Sequence, residues 1–326
     1  MKISVFTCVL NPDFWCFPYL EAIKSYLELA DEVIIVDGGS NDGSLEKIHK
    51  IFDNDNPKTR CWVFDEGGGE HFGASMDYME AVEKNIKHIN IIRLHWPWDF
   101  KQREFPLHLN YGLDNCTGDW VIKFDIDFVL HDFDAIAIKR KLKEHNDNTR
   151  VMVATFSRLN LLNRWQGFTK NELPWIIHKK FTKNSVRFGV EIGDKQSDWS
   201  QTIKVKEIKN GIPYGEKFII DTNFCEVKDI LRLGNRVFNY DSIFRDKIKC
   251  EAWFCRAARA YRLETGKPIY GKTDKDAWEL WKEIRMQYKV KRKENLKIGD
   301  HPIFIQDKIK NMTPDMWGYN NWDWKL

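Results

Sequence analysis

Two carboxylates one residue apart, Asp125 and Asp127, stand directly behind the apolar run Trp120-Val-Ile-Lys-Phe124. A strand alternates its side chains, so a strand continued through this stretch sends both acids to one side and Ile126 to the other. Paired carboxylates with no His or Cys nearby are hard oxygen ligands, suited to Mg²⁺ or Mn²⁺ that also binds the phosphates of a substrate. The chain holds three more Asp-x-Asp pairs, Asp53/Asp55, Asp132/Asp134 and Asp274/Asp276. Those lie in stretches that look like turns, solvated faces or helix caps. A second acid, Asp37, closes the strand-like run Glu32-Val-Ile-Ile-Val-Asp37 and is followed by Gly38-Gly39-Ser40-Asn41-Asp42-Gly43-Ser44. Open α/β sheets bind ligands at that edge, where an acid accepts hydrogen bonds from a ribose or base and small residues allow close approach. The alternative is a turn and helix cap with no ligand. G-x-G-x-x-G after the first strand is absent, which excludes the dinucleotide-binding fingerprint.

The elements that must position these acids follow from periodicity. Ile3–Val9 is β-rich, Asn11-Pro12-Asp13 breaks it, Tyr19–Leu29 has helical spacing and Glu32–Asp37 is a continuous apolar strand. That order is a βαβ unit with parallel strands covered by helices. Residues 45–52 predict a helix capped by Asp42 or Ser44, and Cys61–Phe64 and Ile89–Leu94 predict short strands with a helix at 75–87 between them. Pro106 suits the first turn of a helix running to about Asn115, and Gly118 its C-terminal stop. Val151–Phe156 is a further strand, residues 157–225 mix short strands and loops, and helical character begins near Val227, clearest at 247–263 and 274–289. The organisation expected is a body over 1–226 and a mainly helical, basic extension over 227–326 packed on it.

With 326 residues, 43% hydrophobic and 30% charged, the chain is not mainly disordered. No apolar run reaches the roughly 18 residues that cross a bilayer, and the first residues meet Asn, Pro and Asp too soon for a signal peptide. Seven cysteines without CxxC spacing fit a reducing compartment. A soluble, cytoplasmic chain is expected. The net charge of +3 requires no nucleic-acid partner, but residues 226–326 hold 22 Lys and Arg against 15 Asp and Glu. Arg256, Arg259 and Arg262 recur along one predicted helix, either as a solvated face or as a contact for an anionic acceptor or a membrane surface. Fourteen Trp offer rings that pack over sugars or simply fill cores.

Three ordered stretches, 3–11, 30–44 and 103–127, together resemble the family 2 glycosyltransferases of the GT-A fold. The resemblance covers roughly residues 1–130. It implies a Rossmann-like mixed α/β sheet flanked by helices, and a nucleotide-diphosphate sugar as donor with a glycan or other hydroxyl group as acceptor. It places Thr7, Asn11, Asp37, Gly39, Arg103, Asn110 and Asp125 at the nucleotide sugar. Asp125 and Asp127 would hold the divalent cation, with His301 as a further ligand from the tail or else a surface His before a turn. In 187–194 it points to Glu191 as the base of an inverting transfer, with Asp194 and then Asp198 behind it. The chain departs from the family pattern at Phe128, where many relatives carry an acid, and at Asn239, which replaces a His. Two other classes stay open: a sugar nucleotidylyltransferase, and a non-catalytic glycan- or anion-binding protein on a transferase scaffold.

Overall fold

The computed structural model describes residues 1–54, 59–65, 84, 86–94, 104–148, 151, 153–179, 186–189, 217–220, 230–265, 271–291 and 294–320. Five strands, β1 (Ile3–Val9), β2 (Glu32–Asp37), β3 (Thr59–Asp65), β4 (Lys87–Arg93) and β5 (Trp120–Lys123), run parallel in the order β3-β4-β2-β1-β5. Strands buried on both faces favour unbroken apolar runs. Accordingly Val33, Ile34, Ile35 and Val36 are all fully buried. Helices α1 (Tyr19–Leu29), α2 (Ser44–His49) and α3 (Glu104–Asn115) lie in the connections. The chain leaves β1 toward one side of the sheet and after β4 crosses to the other, so the carboxyl ends of β1 and β5 flank a topological switch point, the place where open sheets bind ligands.

Beyond β5 the sheet becomes mixed. β6 (Phe128–Val129), β7 (Val153–Asn163), β8 (Gln166–His178) and β11 (Ile230–Asn239) extend it in the order β5-β8-β7-β11-β6, and β12 (Glu294–Asn295) pairs with β8. β9 (Val186–Gly189) and β10 (Lys217–Ile220) form a separate antiparallel pair. The C-terminal part carries α5 (Lys247–Thr265), α6 (Asp274–Lys291), α7 (Ile303–Lys310) and α8 (Trp317–Asn320), and α4 (Asp132–Glu144) follows β6. One hydrophobic core runs from Ile3 through Phe156 to Trp317. No helix among the described residues is long and apolar enough to cross a membrane.

Several expectations change. Part of 157–225, expected as short strands and loops, is a long hairpin, β7–β8, turning at Arg164-Trp165. Helical character does not begin near 227: β11 comes first and pairs parallel with β7. The sheet therefore draws residues from both sides of the expected 226/227 boundary. The helix expected at 45–52 ends in a π turn at 50–54, and the N-cap of α2 is Gly43 at φ +81° rather than Asp42 or Ser44. The helix expected at 75–87 falls mostly outside the described residues. Gly118 is not a helix stop by backbone freedom. A Cβ there would lie 2.6 Å from Ser4 Oγ and 2.7 Å from the Ser4 amide nitrogen, so β1 passes too close for any side chain. Gly118→Ala is expected to cost about 1–3 kcal/mol, measurable as a lower urea midpoint with an unchanged slope.

At the amino ends of β1 and β2, opposite the ligand edge, Glu32 is completely buried. It accepts hydrogen bonds from Ser4 Oγ (2.5 Å), the Thr117 amide (2.5 Å) and hydroxyl (2.6 Å), and Lys2 Nζ (3.0 Å), with His88 Nε2 at 3.3 Å. Burial alone would raise its proton affinity. The contacts from His88, Lys2, Ser4 and Thr117 outweigh it and hold the carboxyl well below the usual range.

Candidate functional site

Asp125 and Asp127 are brought together by a turn, not by strand alternation. β5 ends at Lys123, and the amide of Phe128, the first residue of β6, bonds back to the Asp125 carbonyl at 2.9 Å. The turn is held from below by the Tyr26 hydroxyl, which donates to the Asp125 carbonyl, and from the side by the Tyr240 amide, which donates to the Asp127 carbonyl at 3.0 Å. The two side chains then differ. Asp125 stays partly exposed and pairs with Lys123 Nζ. Asp127 is buried, at 7% exposure, and among the described residues its carboxylate accepts no hydrogen bond. Burial, then the negative charges of Asp125 and Asp241, raise its proton affinity, against the opposing pull of Arg245 and Arg158. A buried carboxylate short of donors is costly unless a cation or proton meets it.

Asp241 and Arg245, on the segment after β11, complete this charged cluster and were not named as site residues from sequence. Asp241 receives Arg245 Nη1 at 2.8 Å and Arg285 Nη2 at 3.2 Å. Burial works against its ionisation, but the two arginines lower its proton affinity overall, so its oxygens are engaged. Arg245 is fully buried, lies over the rings of Phe17 (4.4 Å) and Trp253 (4.8 Å), and donates from Nε to the Trp15 carbonyl at 2.8 Å. It thereby ties the loop after β1 to the C-terminal half. The signal available in sequence was a pair of charges just past a strand, which by itself has many solvated counterparts.

The residues expected around a nucleotide gather at the carboxyl ends of β1 and β2, next to the β5 turn. Thr7 is fully buried and its hydroxyl has no hydrogen-bond partner among the described residues. Asn11, at φ +48°, accepts the Asn41 amide on its side-chain oxygen at 2.8 Å, and its own amide donates to Ser40 Oγ at 2.8 Å. Asp37 is also fully buried and accepts the amides of Gly39 (3.2 Å) and Ser40 (3.0 Å) and the Ser40 hydroxyl. Burial raises its proton affinity despite these bonds and Arg93. Its carboxylate thus organises its own turn. Gly39, at φ +94°, supplies the left-handed backbone that turn needs. Asn110 sits half-buried on α3, whose Gly112 lets the helix approach Phe6 and Val36. Arg103, Glu191, Asp194 and Asp198 lie outside the described residues.

His301 is corrected. The tail does return to the sheet, but Nδ1 of His301 meets the Tyr240 hydroxyl at 2.9 Å and Nε2 the Arg164 carbonyl at 2.8 Å. With both nitrogens engaged and the ring fully buried, no lone pair remains for a cation. Burial lowers its proton affinity, overcoming the Arg164 carbonyl and Asp300. His301→Ala is expected to lower the melting temperature through two lost buried hydrogen bonds, about 1–3 kcal/mol, without weakening Mn²⁺ binding measured by calorimetry. A loss of Mn²⁺ affinity would restore the ligand role.

No family model and no curated protein matches the chain. Among solved structures, TarS of S. aureus is similar at a distance. Its residues 1–349 match at 12% identity over 80% of this chain and 65% of that one, with TM-score 0.33, and 0.34 for the UDP complex. The UDP-GlcNAc complex matches at 15% identity over 49% and 35%, with TM-score 0.31. The chain thus spans about a third to two thirds of these structures. A likeness this distant transfers neither residues nor activity. The fold itself is a mixed α/β sheet flanked by helices.

Proposed function

We propose that the chain is a divalent-metal-dependent glycosyltransferase that moves a sugar from a nucleotide-diphosphate sugar to a hydroxyl acceptor. The observation that carries this reading is Asp127: a buried carboxylate with no donor, beside a second acid, at the switch point of an open sheet. Its donor set fits a hard cation. Two carboxylate groups leave the remaining positions to water and ligand phosphates, the usual arrangement for Mg²⁺, with Mn²⁺ also an oxygen-site metal. When bound, such a cation supplies Lewis-acid neutralisation of the departing diphosphate.

The chain's own residues do the rest. Asp127 and Asp125 hold the cation, and Lys123 restrains Asp125 from one side. The unpartnered Thr7 hydroxyl offers a hydrogen bond to the nucleoside, and the pinned Asn11–Ser40 loops shape its seat. Arg103 assists the diphosphate. An acceptor hydroxyl needs a base, for which Glu191 is the first candidate and Asp194 the second, in an inverting reaction. The acceptor is a glycan or similar alcohol, and the protein acts in the cytoplasm or at a membrane surface.

The test is a panel of UDP-, GDP-, dTDP- and CMP-sugars with Mn²⁺, headed by UDP-GlcNAc, with which TarS was crystallised. One donor is expected to raise the melting temperature only with metal and to be hydrolysed slowly. Stabilisation of equal size by all anions, with or without Mn²⁺, would favour the non-catalytic binding protein instead. Pyrophosphate release from a nucleoside triphosphate and a sugar phosphate would favour the nucleotidylyltransferase.

A further inference from the structure

Beside the Asp127 turn, the sheet presents donors that meet no acceptor among the described residues. Pairing of β7 with β11 sets Arg158 opposite Val237 and Asn160 opposite Asn239, and β6 sets Phe128 opposite Asn239. Paired residues share a face, so these side chains form one row. The contacts agree: Asn239 Nδ2 donates to Asn160 Oδ1 at 3.0 Å, and the Arg158 guanidinium stands 5.6 Å over the Phe128 ring. Asn239 Oδ1 in turn accepts the Asp241 amide at 2.8 Å. A chain of hydrogen bonds therefore runs from Asp241 to Asn160 and stops there. Asn160 is 8% exposed and, among the described residues, its Nδ2 has no acceptor; Arg158 Nε is likewise buried without one.

Unmet N–H groups in a buried setting cost about 1–3 kcal/mol each, so two in one row call for an oxygen to meet them. The neighbouring atoms exclude a cation, because both groups only donate. Arg158 acts electrostatically on Asp127 without forming an ion pair with it, so its charge is still available to an electron-rich group. The intervening residues, Leu159 and Phe238, point to the opposite face; both faces are packed here, since Val237 and Phe128 beside Arg158 are fully buried too.

We propose that Asn160 Nδ2 and Arg158 Nε form the subsite for the hydroxyl acceptor, binding oxygens of a saccharide ring next to the acid-bearing turn, with Asn239 as a positioning residue. This rests on the transferase reading and adds where the acceptor sits and what it must offer: two oxygens with free lone pairs. Asn239 holds the Asn160 amide so that its N–H groups face out of the hydrogen-bond chain. A base is not part of this row, since neither side chain accepts a proton at neutral pH.

The experiment uses the full chain, Mn²⁺, the donor selected by the nucleotide-sugar panel, and p-nitrophenyl α- and β-glycosides as acceptor probes. Asn160→Asp keeps the oxygen that receives Asn239 and removes both N–H groups. Arg158→Lys keeps the charge and removes Nε–H. Each is expected to raise the KM for the accepted glycoside about tenfold or more, with the donor KM shifted far less. Asn239→Gln, which displaces the amide it supports, is expected to do the same more weakly, and Asn239→His to be tolerated less than Asn239→Ser. If Asn160→Asp does not fold, Arg158→Lys decides. Unchanged acceptor KM, equal effects on donor and acceptor, or donor hydrolysis that no glycoside diverts would overturn the subsite. A wild-type chain that turns over no nucleotide sugar would instead overturn the transferase reading first, and the subsite with it.

Discussion

Replacing Asp127 with Asn is expected to lower turnover of the nucleotide sugar by on the order of 10³-fold while leaving the fold at least as stable as the wild type. The two halves have one cause. Asp127 is buried with no donor, and burial, Asp125 and Asp241 all disfavour its charge. An ionised carboxylate in that setting lowers stability at neutral pH, and an amide of the same shape removes the charge. The sign of the pH dependence follows. Because the folded value lies above the unfolded one, the penalty is present at high pH and disappears once the group is protonated in both states. The stability advantage of Asp127→Asn should therefore shrink as the pH falls toward the ordinary carboxylate value of about 4. Thermal unfolding from pH 4 to 8 measures it, and donor hydrolysis with Mn²⁺ measures the activity. A variant that loses stability but keeps turnover would make Asp127 a structural acid.

Glu32→Ala is the second large effect, with the opposite balance: a loss of about 3–5 kcal/mol, the cost of leaving buried partners of a charge uncompensated. Lys2, Ser4, His88 and Thr117 converge on this carboxylate from three segments of the chain. Since its folded value is depressed, the stabilisation is fully present above the unfolded value of about 4.3 and is lost as the pH falls toward the folded one. Glu32→Gln should flatten the acid limb of the stability curve between roughly pH 4 and pH 2. Because the site lies at the opposite ends of the same strands, donor affinity of the folded fraction should be little changed. An acid limb as steep in Glu32→Gln as in the wild type would show that the network does not control acid stability.

Local pattern made the first half legible. The run Glu32–Asp37 is apolar on both faces, a sign of a parallel strand covered by helices, and β1, α1, β2 and β5 fall within a residue of where periodicity puts them. The Asp-x-Asp after β5 was legible for a related reason, since polar residues ending a buried strand must reach a sheet edge. The second half was less so. β11 has alternation broken by Gly234 and a shifted register between Arg232 and Arg236, which blurs the two-residue period. The β7–β8 hairpin shifts register three times and turns without a glycine at Arg164-Trp165. Periodicity fails wherever the chain bends the ladder.

What the sequence determined on its own was therefore the parallel sheet and the acids at its edge, because neighbouring residues alone decide burial and alternation there. Only the tertiary structure decided which polar groups are engaged. Asp37 turns onto its own loop, His301 bonds at both nitrogens, Asp241 is held by two arginines, and Asp127, Asn160 and Arg158 are left with unmet capacity. A residue's type fixes what it can bind; Asp37 meets partners two and three residues away, but for His301 and for the Arg285 contact of Asp241 the partners come from about 40 to 140 residues away, and no local spacing encodes them.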